Sequence, residues 1–165
     1  MAMETGPTEM DGGTDTGAAG KLTLSPYLVV RDAEAAIAFY RAAFGAAEVF
    51  RLTDPASGKI GHAELAIAGG IVMISDEYPD FGAVSADRLG GSPVRLHLDV
   101  TDAAATLASA EAAGATLLRA LAVQFHGCKQ AMVADPFGLN WIISQNVELV
   151  GHADMQRRWQ AMIGG

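Results

Sequence analysis

The feature that most constrains this chain is that it repeats itself. Tyr27–Ala47 reads YLVVRDAEAAIAFYRAAFGAA, and Leu96–Thr116 reads LHLDVTDAAATLASAEAAGAT, offset by about 70 residues. Each stretch opens on an apolar or alternating strand. Each then places an aspartate, Asp32 or Asp102, ahead of an alanine-rich run that closes on a glycine, Gly45 or Gly114. Aspartate accepts hydrogen bonds from the unpaired N–H groups at a helix start, and glycine tolerates the left-handed turn after a helix end. Both stretches therefore predict a strand followed by a capped helix.

Three short strand candidates follow each helix. After Gly45 they are Ala47–Thr53, His62–Ile67 and Ile71–Ser75, separated by the turns Asp54–Gly58 and Ala68–Gly70. After Gly114 they are Thr116–Arg119, Lys129–Ala134 and Leu139–Ser144, the last two joined by Asp135-Pro136-Phe137-Gly138. The chain thus divides into a tail (1–22), a first βαβββ module (23–77), a linker (78–93), a second module (94–147) and a C-terminal segment (148–165). In that last segment a helix is expected from about Ala153 to Met162, with Met155, Trp159 and Met162 on one face.

Composition bounds the function. Half the residues are hydrophobic, enough for a core, and the net charge is −8. Residues 1–20 carry five glycines and four acids without a base, so they are expected to be disordered and not to serve as a signal peptide. No basic run invites nucleic acid, and no apolar stretch spans a bilayer. The single cysteine, Cys128, excludes an internal disulfide. These features point to a cytoplasmic protein.

Paired βαβββ modules, the Asp-Pro-Phe-Gly hairpin, and the stretches SPYLVVRDAEAAIAFYRAAFG, GHAELAIAGGIVMISDE and DPFGLNW resemble the glyoxalase/bleomycin-resistance/extradiol-dioxygenase (vicinal oxygen chelate) superfamily, most nearly its PhnB-like subgroup. The resemblance covers about residues 24–147. It implies an α+β fold in which the paired modules form a curved eight-stranded sheet cup with helices outside. It also implies a small-molecule ligand and a homodimer. Fold alone does not name an activity, because the superfamily hosts lyases, isomerases, dioxygenases, transferases and drug-sequestering proteins.

Strand parity assigns residues to the cup. Val94, Leu96, Leu98 and Val100 are expected beneath the helices, with Arg95, His97 and Asp99 facing the cup. His62 and Glu64 share a cup face opposite Ala63, Leu65 and Ile67. The expected ligand pocket is Tyr27, Met73, Arg95, His97, Asn140 and Ile142. The family's metal ligands come from the first and last strand of each module, positions that fall here near Ser25, Met73, Arg95 and Ile142. None is a His or a carboxylate, so no cofactor is expected there.

Several assignments stay open. His62, Glu64 and His97 could supply a displaced metal triad for a lyase/isomerase or dioxygenase-like enzyme, or pair locally. Arg95 either anchors an anion or forms a salt bridge to Asp99 or Glu64. Gln124 and His126 either roof the pocket or face solvent. Cys128 is treated as an incidental thiol, Tyr27 as a stacking surface and Trp141 as core. A pure interaction module, using the linker and the last helix, is a third reading.

Overall fold

A computed structural model describes residues 23–164. The expected tail, 1–22, lies outside the described residues. The first module contains β1 (Tyr27–Val30), α1 (Ala33–Phe44), β2 (Ala47–Thr53), β3 (Ile60–Ile67) and β4 (Gly70–Asp76). The second contains β5 (Arg95–Asp99), α2 (Ala103–Ala113), β6 (Thr116–Val123), β7 (Cys128–Ala134) and β8 (Asn140–Asn146), and α3 (His152–Ile163) follows. The two sheets have the same plan, β1-β4-β3-β2 and β5-β8-β7-β6, with the first strand of each parallel to the last.

The repeat has the physical basis read from the sequence. Asp32 accepts from Ala35 N at 2.9 Å, and Asp102 accepts from Ala104 N and Ala105 N at 3.0 Å. Gly45 and Gly114 close their helices with φ of 67° and 113°, which a side chain rarely adopts. The helices lie on one face of the sheets and pack on one another, over buried Val30, Ile37, Leu65, Ile74, Val133 and Ile143. The opposite faces form the open cup. Its eight strands are two four-stranded sheets rather than one continuous ladder, edged by β1 and β2 and by β5 and β6.

What ties the modules together was not visible in the sequence. Asp135, expected only to shape a turn, is buried and accepts four hydrogen bonds. Tyr40 Oη of α1 donates to it at 2.7 Å, Trp141 Nε1 at 2.9 Å, Phe137 N at 2.9 Å and Leu139 N at 3.0 Å. Burial, and then the Asp135 charge, pushes the Tyr40 phenol well above its ordinary range. Around this latch, Tyr40 and Phe44 pack on Trp141 with ring centroids 5.3 and 4.6 Å apart. Trp141 is core, as its parity indicates.

The linker is folded. It opens on a 3₁₀ turn, Pro79–Phe81, and Ser85 is fully buried, donating its N–H to Glu77 at 2.8 Å. Hydrogen bonds from Ser85 hold the Glu77 carboxyl below its usual range. Asp87 pairs with Arg31 and lies against Gly138, where an added Cβ would come within 2.7 Å of Asp87 N. The linker therefore straps the first module to the turn that carries the latch.

Several element ends shift by a residue or two from the sequence reading, and three differences have a clear cause or consequence. β3 begins at Ile60, whose N–H bonds to buried Asp76 at 2.7 Å. β6 runs on to Val123, because register shifts on either side of Arg119 break the two-residue alternation by which a strand is recognised. Val94 lies outside β5 and is 61% exposed, not tucked beneath the helices.

Candidate functional site

Register carries the parity argument into three dimensions. On the first sheet's cup face, Tyr27 stands beside Met73, Met73 beside Glu64, and Glu64 beside Phe50, one row across four strands. His62 lies in the next row, opposite Leu52. Its Nδ1 sits 3.0 Å from Tyr27 Oη, and its Nε2 sits 3.7 Å from Glu64. The imidazole lies between the Tyr27 and Phe50 rings, with centroids 5.5 Å away on each side. Phe50 was not foreseen; the register shift between Glu48 and Phe50 turns it to the cup.

The second sheet presents a different chemistry. Arg95 is paired in register with Asn140, and His97 with Ile142. The His97 row continues through Met132 to Arg119. His97 Nδ1 lies 3.7 Å from Asp99, and its Nε2 lies 3.3 Å from Gln130, which also donates to Ser144 Oγ at 3.2 Å. Among the described residues Arg95 has no ion pair, so neither Asp99 nor Glu64 takes the role of a structural partner. Sequence reading missed Arg119, because it sits between two bulges where parity cannot be counted from β6 alone.

Between the two sheets run apolar clefts. One of about 390 Å³ lies between β1 and the end of the linker, lined by Tyr27, Val29, Val84, Leu89, Pro93 and Val94. Another of about 300 Å³ lies where Pro26 and Ile71 approach Leu96, His97 and Asp99. Of the six expected pocket residues, Tyr27 lines the first cleft and His97 the second. Met73, Arg95, Asn140 and Ile142 stand on the open sheet faces alongside.

The structure brings His62 and Glu64 together on the first sheet and leaves His97 on the second. Among the described residues no three His, Cys, Asp or Glu side chains converge as a metal cage would require. Cys128, at the start of β7, is half-buried and free. His126 meets the Phe125 ring edge-on at 5.0 Å, and Phe125 packs tilted against Trp159 of α3 at 5.2 Å, which ties the 124–127 loop to α3.

Comparison with known proteins agrees with this architecture. The glyoxalase/bleomycin resistance protein/dioxygenase superfamily matches residues 22–143. The chain belongs to this superfamily. A Mycobacterium tuberculosis protein of uncharacterised function is 44% identical over 136 residues, spanning 81% of this chain and 79% of its own. The crystal structure of TioX from Micromonospora sp. ML1 superposes with a TM-score of 0.60 at 26% identity, over 77% of this chain and all of TioX. A PhnB protein from Bacillus cereus superposes at 0.58, over 75% of this chain and 99% of its own; at 16% identity it shares the fold alone. This superfamily membership accounts for the paired modules. What the cup does follows from its own side chains. Among the described residues no helix is long and apolar enough to cross a membrane.

Proposed function

We propose that this glyoxalase-superfamily protein binds a small organic molecule with an apolar body and an acidic group, without a metal at the family's positions. The observation that carries the reading is Arg95, a guanidinium on the cup face beside Asn140, with no carboxylate partner among the described residues. A permanently charged planar donor of this kind suits a carboxylate or phosphonate. The apolar clefts at the sheet edges, with the half-exposed Tyr27 ring, would take the rest of the ligand.

The donor set supports the metal-free part of this reading. By alignment the family's positions fall near Ser25, just ahead of β1, and near Met73, Arg95 and Ile142, which offer a hydroxyl, a thioether, a guanidinium and an alkyl group. The guanidinium repels a divalent cation and does not deprotonate near neutral pH, and the remaining groups are poor ligands for a hard or borderline ion. The residues present do not fit such an ion.

Calorimetric titration with carboxylates, paired with elemental analysis, tests the reading. Arg95→Met is expected to weaken carboxylate binding by about 1.5–3 kcal/mol, the scale of a hydrogen bond to a charged group. Unchanged affinity removes the anchor. Stoichiometric metal in the wild type, lost in His62→Ala, promotes a metal enzyme instead.

A second reading, a lyase or isomerase, is favoured by the Tyr27–His62–Glu64 group, in which a phenol lies 3.0 Å from one imidazole nitrogen and a carboxylate 3.7 Å from the other. Turnover lost in His62→Ala, with ligand binding kept, would establish it. A cytoplasmic location and assembly into homodimers belong to the same proposal; exposed Trp159, Met162 and Ile163 on α3 offer the apolar surface for a second copy.

A further inference from the structure

The arginines of this chain divide sharply. Arg31, Arg41, Arg51, Arg88, Arg157 and Arg158 each have a carboxylate within 3.1 Å. Arg95 and Arg119 have none among the described residues, although acids outnumber bases there 15 to 10. In so acidic a protein a carboxylate partner is easily found, so two unpaired guanidiniums on the same sheet face are a selective feature. Register puts both on the cup side of the second sheet, Arg95 beside Asn140 on the β5 edge and Arg119 beside Met132 on the β6 edge. Asp99, an acid on that face, lies 3.7 Å from His97. Between the two arginines lie Ile142 and Met132, an apolar floor with Asn140 beside it.

We infer that Arg119 is a second anion contact, and that the cup takes ligands carrying an acidic group at each end of an apolar body. The inference rests on the reading of Arg95 given above. Three interstrand spacings separate β5 from β6, about 14 Å between backbones. The flexible arginine stems shorten the span a ligand must bridge, so an extended diacid of medium length reaches both guanidiniums while its methylenes cover Ile142 and Met132. A charge on an edge strand also discourages sheet-to-sheet pairing, but that role is met by any charge and does not require its twin on the far edge.

The test is calorimetric titration of the full chain with octanoate and with the diacids adipate, suberate and sebacate. At least one diacid is expected to bind about tenfold more tightly than octanoate. Arg119→Met should abolish that preference and leave octanoate affinity unchanged, whereas Arg95→Met should weaken both. Arg157→Met removes an equal charge from α3 and should change neither. Thermal melting establishes that each variant is folded. The inference is overturned if the wild type shows no diacid preference, or if Arg119→Met or Arg157→Met affects it equally. It is also overturned if Arg119→Met changes only the association state in sedimentation. In each of these cases octanoate binding that still depends on Arg95 leaves the proposed function standing. Failure of every carboxylate to bind overturns both.

Discussion

Replacing Asp135 by alanine should cost this protein much of its stability, and the structure sets the scale. The side chain is 6% exposed and accepts from Tyr40 Oη, Trp141 Nε1, Phe137 N and Leu139 N, all within 3.0 Å. A buried donor left without an acceptor costs about 1–3 kcal/mol. Water entering the space vacated by the carboxylate can serve some of the four, so the net loss should be about 3–5 kcal/mol. For a chain of this size that lowers the melting temperature by roughly 10–15 °C. Asp135→Asn keeps the shape and one acceptor oxygen but turns an NH₂ group toward the phenol or the indole, and should fall between wild type and alanine. Tyr40→Phe removes one bond and should cost about 1 kcal/mol. The cycle Tyr40→Phe with Asp135→Asn should show coupling above about 0.5 kcal/mol, since the two side chains are in direct contact. Calorimetric melting and urea unfolding measure the wild type and all four variants, the double variant included. A shift under about 3 °C for Asp135→Ala, where the four bonds require several times that, would refute the argument that this carboxylate latches the two modules.

Other consequences are equally open to measurement. The Tyr40 phenol has a raised pKa in the folded state, so its contribution to stability is complete below about pH 10, the unfolded value, and falls as pH rises through the folded value. Melting temperatures across alkaline pH should therefore drop more steeply in wild type than in Tyr40→Phe. Gly138 has φ of 88° and no room for a Cβ against Asp87, so Gly138→Ala should destabilise by about 2–3 kcal/mol and speed proteolysis of the linker. The wild type should sediment as a dimer of the 17.1 kDa chain, and Trp159→Ala, which strips the largest apolar group from α3, should shift it toward monomer. A wild type that is monomeric at micromolar concentration would remove that assignment.

The elements of this fold were legible in the sequence because their causes are local. Asp32 and Asp102 cap the helices they precede, Gly45 and Gly114 turn the chain at positive φ, and alternation sorts His62 and Glu64 from Ala63 and Leu65. Each of these depends on a few neighbouring residues and on a backbone period of known length. The same local rules put Arg95 and His97 on one face and Trp141 on the other. They failed where a bulge interrupts the period, which hid Phe50 and Arg119 and shortened the expected β6.

Tertiary structure alone decided which faces meet. Nothing near Asp135 in the chain says that the phenol it receives lies 95 residues away on the first helix, or that the linker would fold back to cover Gly138. Likewise parity gives His62, Glu64 and His97 one sidedness, but only the division into two sheets places the first two apart from the third. That Arg95 and Arg119 have no carboxylate partner among the described residues is also a tertiary fact, because it depends on where each of those carboxylates comes to rest. A short-range pattern fixes the direction in which a side chain points. Its partner is set by the packing of elements distant in sequence, whose closure costs chain entropy and is repaid only when the whole core forms.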